Sequence, residues 1–146
     1  MLNIKIMRLP HSEGLPLPEY KTAGAAGMDL NAALDVSIVL PPGGLYSVPL
    51  GFRAALPAGY EAQIRTRSGL AMHGIVVANA PGTIDEDYRG EWKVILANIS
   101  NTSKTINRGD RIAQAVISKI TRLGMNQVEV LDETARGEAG FGSTGV

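Results

Sequence analysis

The sequence predicts an all-β fold, a sandwich or barrel with one short helix and a glycine-rich C-terminal tail. Three observations carry that expectation. The 17 glycines and 8 prolines fall as punctuation between short apolar runs, at Pro41-Pro42-Gly43-Gly44, Pro57-Ala58-Gly59, Pro81-Gly82 and Arg108-Gly109-Asp110. Several of the runs alternate with period two, the pattern of a strand with one buried face. No window sustains a helical period over a dozen residues. Short strands separated by turn signals every ~8–12 residues are the mark of a sandwich or barrel. At 146 residues the chain is the size of one domain.

In chain order the apolar runs cover residues 3–9, 36–40, 45–55, 60–65, 74–78, 91–99 and 111–120. The run at 45–55 lies between two Pro/Gly turn signals. In Tyr60-Glu61-Ala62-Gln63-Ile64-Arg65 the apolar residues 60, 62 and 64 share one face of a strand. The stretch Ile112-Ala113-Gln114-Ala115-Val116-Ile117 is nearly continuous, as a strand buried on both faces would be. The best short helix spans 68–73. Residues 132–146 carry four glycines and one large aromatic, Phe141, too little apolar surface to fold alone. The chain therefore divides into a β domain over 1–131 and a tail over 132–146, and it carries no internal repeat.

Composition excludes several classes of function. Lys+Arg of 14 against Asp+Glu of 14 gives zero formal charge, which argues against a nucleic-acid or membrane-surface binder. With no cysteine there is no disulfide, no thiolate zinc site and no cysteine nucleophile. Two histidines, His11 and His73, are too few for a histidine-built metal centre. No apolar run is long enough to span a bilayer and the N-terminus lacks a signal-peptide core, so a soluble, cytoplasmic protein is expected.

Five short clusters set glycines beside charged or hydroxyl side chains. In Ala25-Ala26-Gly27-Met28-Asp29-Leu30-Asn31-Ala32 an acid near a glycine suits either a hydrated cation or a capped turn. In Arg65-Thr66-Arg67-Ser68-Gly69-Leu70-Ala71 a strand end meets a helix start, where an Arg fork and a hydroxyl suit a phosphate as well as an N-cap serine. The third cluster runs from Asn79 through Pro81-Gly82-Thr83-Ile84-Asp85-Glu86-Asp87-Tyr88-Arg89-Gly90-Glu91. Such a hairpin offers backbone donors and acceptors to a flat ligand, and an acid near its base suits a general base for water. A calcium loop and a solvated acidic turn are its rivals, although the EF-hand pattern is missing. In Gly109-Asp110-Arg111-Ile112-Ala113-Gln114, Asp110 and Arg111 are placed to pair while Gln114 presents an amide. The fifth, Arg136-Gly137-Glu138-Ala139-Gly140-Phe141-Gly142-Ser143-Thr144-Gly145, suits a lid that wraps phosphates and stacks on a base.

Taken together, in this order and spacing, the clusters resemble the trimeric all-β dUTPase family over about residues 24–145. The resemblance is most specific in Arg67-Ser68-Gly69-Leu70-Ala71, Ile84-Asp85-Glu86-Asp87-Tyr88-Arg89-Gly90, Gly109-Asp110-Arg111-Ile112-Ala113-Gln114 and Gly140-Phe141-Gly142-Ser143-Thr144-Gly145. It implies a single-domain jelly-roll-like β-barrel or sandwich that hydrolyses dUTP to dUMP and pyrophosphate with Mg2+ on the triphosphate. Such an activity limits uracil incorporation into DNA and supplies dUMP for dTMP synthesis. The resemblance makes Asp85 the base for the attacking water and brings Asp29 to Mg2+ through a metal-bound water. Arg67, Ser68 and Gly69 would hold phosphates near the α–β bridge, with Gln114 further along. Asn79 and the backbone of Thr83, Ile84 and Asp85 would read the uracil edge, with Lys93 on the return strand and Tyr88 under the deoxyribose. Phe141 would close over the base, with Arg136, Gly142, Ser143 and Thr144 wrapping the phosphates. The implied assembly is a homotrimer whose sites are shared between subunits, with no nucleic-acid or membrane partner.

Three positions depart from the family pattern: Ala139 where a glycine is usual, Thr66 for a frequent proline and Met28 for a frequent aromatic. None removes a functional group. A dCTP deaminase on the same fold, a catalytically silent nucleotide-binding trimer and a purely structural sandwich are the other readings. The intact hairpin and tail favour the hydrolase over the deaminase, the presence of Asp85 and Arg136 speaks against a silent trimer, and a structural sandwich leaves the five polar glycine clusters unexplained.

Overall fold

The computed structural model describes residues 2–140 and carries ten strands and one helix among them. In chain order these are β1 (Lys5–Arg8), β2 (Gly27–Asn31), β3 (Ile38–Leu40), β4 (Leu45–Ala55), β5 (Tyr60–Arg65), α1 (Ser68–Met72), β6 (Ile75–Val77), β7 (Gly82–Ile84), β8 (Glu91–Asn98), β9 (Lys104–Ile106) and β10 (Arg111–Lys119). A 3-10 turn at Pro10–Ser12 follows β1. Two four-stranded antiparallel sheets, ordered β1-β4-β8-β6 and β2-β10-β5-β7, pack into a jelly-roll-like sandwich, and β3 pairs with β9 as a separate ribbon.

Alternation decides which side chains fill the space between the sheets. Along β8, Trp92, Val94, Leu96 and Asn98 are buried, while Lys93 and Ile95 face out. Along β5, Ala62 and Ile64 point into the same apolar cluster, which gathers Val48, Leu50 and Phe52 of β4 and Ile112 and Ala115 of β10. Phe52 and Trp92 tilt against each other with ring centroids 5.3 Å apart. The outward residues of the second sheet, Asp29, Gln114 and Arg65, stand side by side because β2 pairs Asp29 with Gln114 and β5 pairs Arg65 with Gln114.

Strands β4 and β5 coincide with their predicted runs, and α1 stops one residue short of the expected 68–73. Strands β2, β7 and β9 lie outside the seven apolar runs. Each is five residues or fewer and carries glycine, charged or hydroxyl residues. The continuous apolar stretch of β10 has a different cause from burial on both faces. A register shift between Arg111 and Ala113 turns both Ile112 and Ala113 into the core, while Val116 and Ile117 are only half-buried. The expected Asp110–Arg111 pair does not form. Asp110 instead accepts the Asn107 N–H at 2.7 Å to close its own turn, where Gly109 takes φ +83, and Arg111 reaches Asp29. After β10 the chain leaves the sandwich, and residues 121–139 are exposed. Among the described residues no helix is long and apolar enough to cross a membrane.

Candidate active site

The hairpin cluster is built on an edge. Strand β7 pairs with β5 on one side only, with Gly82 opposite Ile64, Thr83 opposite Gln63 and Ile84 opposite Ala62. Its other edge carries backbone N–H and C=O groups that no strand among the described residues takes up, which is the hydrogen-bonding surface a planar ligand needs. Between β7 and β8 lies a cavity of about 270 Å³ lined by Asn79, Thr83, Ile84, Asp85, Tyr88 and Lys93, all six named from the sequence. Gly82 keeps the approach open, since a Cβ would stand 3.2 Å from Asn79 Nδ2 and the amide would have to give by a few tenths of an ångström. Glu91, the last residue of the third cluster, also lines the cavity without having been given a role, and Ser47 lines it with no signal in the sequence.

The three acids at 85–87 separate clearly. Asp85 is exposed to the cavity, and its carboxylate accepts no hydrogen bond among the described residues. Glu86 folds back from the hairpin, where its carboxylate accepts the Gly59 N–H and, at 3.2 Å, Arg122 Nη1. These contacts, the Gly59 N–H first and Arg122 second, hold the Glu86 carboxyl below its ordinary value of 4.5. Asp87 is exposed outside the cavity lining. Tyr88 closes the turn, with its N–H on the Asp85 carbonyl at 3.2 Å and its hydroxyl donating to the Glu91 carbonyl at 3.1 Å.

The basic group assembles elsewhere. Arg67, extended at the N-cap of α1, donates from Nε to Asp29 Oδ1 at 2.9 Å and from Nη1 to the Arg111 carbonyl at 3.1 Å. Arg111 Nη1 meets Asp29 Oδ2 at 3.3 Å, and Gln114 Nε2 lies 3.5 Å from Oδ1. One half-buried carboxylate therefore organises two guanidinium forks and an amide on the outer face of β2 and β10. Ser68 is the first residue of α1 rather than its cap, and Ser68 and Gly69 are exposed beside Arg67. Arg67 and Arg111 also line a cavity of about 520 Å³ with Lys104 and His73. The arrangement suits a polyanion, because two guanidinium forks share one carboxylate and an exposed helix-start hydroxyl follows Arg67 in the chain.

None of Asp29, Arg67 and Gln114 lines the hairpin cavity, and the two sets share no hydrogen bond among the described residues. Arg136 belongs to a third place, an exposed turn in which its Nε donates to the Ala139 carbonyl at 2.9 Å. Phe141, Gly142, Ser143 and Thr144 lie outside the described residues.

Comparisons with known proteins identify the family. The family model described as dUTPase matches residues 13–145. A deoxyuridine 5'-triphosphate nucleotidohydrolase of Anaplasma marginale is 54% identical over 146 residues, covering 99% of both chains. The protein of the same name from Rhizobium meliloti is 54% identical over 145 residues, covering 97% of this chain and 91% of its own. Among solved structures, a mutant dUTPase of Staphylococcus bacteriophage 80alpha with dUpNHpp superposes with a TM-score of 0.86 at 26% identity, covering 99% of each chain.

Proposed function

The chain belongs to the dUTPase family and hydrolyses dUTP, and from that premise we propose that it forms dUMP and pyrophosphate by in-line attack of an Asp85-activated water on the α-phosphorus. One observation carries the reading: of three consecutive acids, Asp85 alone faces the hairpin cavity with an uncommitted carboxylate among the described residues. An ordinary carboxylate is a weak base, so the rate must come mainly from holding water and phosphorus in line.

The base and sugar are read in the hairpin. The free edge of β7 hydrogen-bonds the uracil edge, and Asn79 and Lys93 add polar contacts from the two flanks. On this reading the hairpin walls meet thymine's methyl and exclude it by contact. Cytosine would set a donor against a donor and leave both groups unpaired. Tyr88 packs under the deoxyribose and leaves no space for a 2′-hydroxyl.

Arg67, Ser68 and Gly69 take the phosphates near the scissile bridge, with Gln114 further along. A triphosphate competes with Asp29 for the same guanidinium forks. The donor set also fits Mg2+ in one mode only. Among the described residues no group of three or more His, Asp or Glu side chains gathers to hold a metal, and Asp29 is a single carboxylate. An ion carried mainly by the nucleotide and touching Asp29 through water matches that supply, since Mg2+ keeps much of its hydration shell. When bound, the ion would neutralise charge on the triphosphate and the departing pyrophosphate. By the family resemblance, Phe141 covers the uracil, and Arg136, Gly142, Ser143 and Thr144 wrap the phosphates.

A homotrimer with shared sites follows from the same reading. The hairpin cavity and the Asp29–Arg67–Gln114 group each supply half of what the reaction needs, and within one chain none of those three residues lines the hairpin cavity. The test is pyrophosphate release from dUTP, dCTP, dTTP and UTP with Mg2+, with ammonia followed in parallel. Rapid release from dUTP alone is expected. Ammonia from dCTP, or pyrophosphate from dTTP or UTP at comparable rates, would overturn the reading.

A further inference from the structure

We infer that His11 and Glu91 form a clamp that positions Tyr88, and that this clamp sets the enzyme's discrimination between deoxyribose and ribose. The inference rests on the proposed role of the hairpin cavity.

Glu91 opens β8 immediately after the hairpin and lines the cavity, with its side chain 18% exposed. Its Oε1 is held from behind by two donors. His11 Nε2 lies 2.6 Å away, and the Gly51 N–H donates at 2.9 Å. A carboxylate only accepts, so the imidazole donates. Both donors are themselves fixed. His11 belongs to the 3-10 turn whose Ser12 hydroxyl donates to the Gly51 carbonyl at 2.6 Å. Arg108 Nη1 donates to the His11 carbonyl at 2.7 Å. Gly51 holds φ +71 in the irregular part of β4, where a Cβ would stand 2.1 Å from the Ser12 Cβ.

The other end of Glu91 touches the sugar-binding element. The Glu91 carbonyl accepts the Tyr88 hydroxyl at 3.1 Å. The phenol lies against bare backbone at Gly90, where a Cβ would stand 2.2 Å from its oxygen. The ring is therefore placed by the backbone of Gly90 and Glu91, and that backbone is anchored by the Glu91 carboxylate. Releasing the anchor lets the ring shift, and room for a 2′-hydroxyl appears. His11 is a positioning residue on this account, since it reaches the nucleotide only through Glu91 and Tyr88.

The experiment compares wild type, His11→Leu and His11→Gln. Leucine removes the donor, whereas glutamine carries an N–H2 at a similar reach from its Cα. Steady-state kinetics on dUTP and UTP are measured for each, together with a thermal melt. In His11→Leu, kcat on dUTP should stay within about twofold and KM rise about threefold, while the preference for dUTP over UTP in kcat/KM falls about fivefold. His11→Gln should return the preference to within about twofold of wild type. An unchanged preference in His11→Leu, even with a lower melting temperature, would reduce the contact to a structural one and overturn the clamp. A His11→Gln enzyme as unselective as His11→Leu would also overturn it, because the hydrogen bond would not be what matters. A wild type inactive on dUTP would instead remove the functional reading and this inference with it, a result distinct from either.

Discussion

Asp85 and Glu86 are adjacent, yet their carboxylates face different partners: Asp85 looks into the hairpin cavity while Glu86 is tied to the Gly59 N–H and Arg122. The two should therefore respond differently to amide substitution. Asp85→Asn keeps the shape and removes the base, so kcat should fall by about 10²–10⁴-fold with dUpNHpp binding nearly unchanged. Glu86→Gln should leave kcat within about threefold. Calorimetric binding with steady-state kinetics checks both, and equal losses from the two substitutions would put the hairpin register in error.

The Glu86 contacts also make a pH prediction. Its folded carboxyl titrates below the ordinary value of 4.5, so the unfolded chain takes up the proton first as pH falls. The stabilisation is complete above the unfolded value and is lost as pH drops through the folded one. The melting-temperature gap between wild type and Glu86→Gln should be constant near neutrality and shrink below about pH 4.5. A gap that widens on acidification would contradict the assignment.

Asp29 is asked to do two things, organise Arg67 and Arg111 and reach Mg2+ through water. Asp29→Asn keeps an acceptor for Arg67 but loses the charge. Activity titrated with MgCl2 should show the half-saturating concentration rising about 10–100-fold, the usual effect of removing an outer-shell ligand partner. An unchanged titration would take Asp29 out of the metal's reach.

How much of this was legible in the chain depended on sequence distance. Strands β4 and β5 could be read residue for residue because Pro/Gly signals bound them and alternation fills them. Strand β9 could not, since only Ile106 of its three residues is buried. The hairpin residues 79–93 lie close together in sequence, so their cavity was foreseeable. The partners of Asp29 were not, because Arg67 and Arg111 come from 38 and 82 residues away. The His11–Glu91 contact spans 80 residues and had no local signal at all. Departures from the family pattern make sense only in three dimensions. The Thr66 hydroxyl accepts the Val77 N–H at 2.8 Å, a bond that a proline at 66 cannot make, and Met28 is buried in the core.

The C-terminal segment gives a prediction about stability as well as rate. Residues 121–139 are exposed and contribute no side chain to the apolar cluster. Deleting 136–146 should therefore leave the melting temperature within a few degrees of wild type while turnover collapses. Unchanged kinetics in the truncated chain would show that the tail is not part of the site.

The separation of the hairpin cavity from the Asp29–Arg67–Gln114 group leads to the most discriminating test. If different subunits supply the two halves, an Asp85→Asn chain and an Arg67→Ala chain are each inactive alone but complement each other when co-expressed. In a mixed closed trimer one neighbouring pair in three joins an intact hairpin to an intact Arg67. Random assembly from equal amounts then restores about a quarter of wild-type sites. Activity should appear only in the co-expressed sample and scale with the fraction of mixed trimers isolated on two affinity tags. Were both halves drawn from one chain, every site would carry one lesion and no mixture would recover. The same experiment thus tests the trimer, the pairing of the two halves and the separate roles of Asp85 and Arg67.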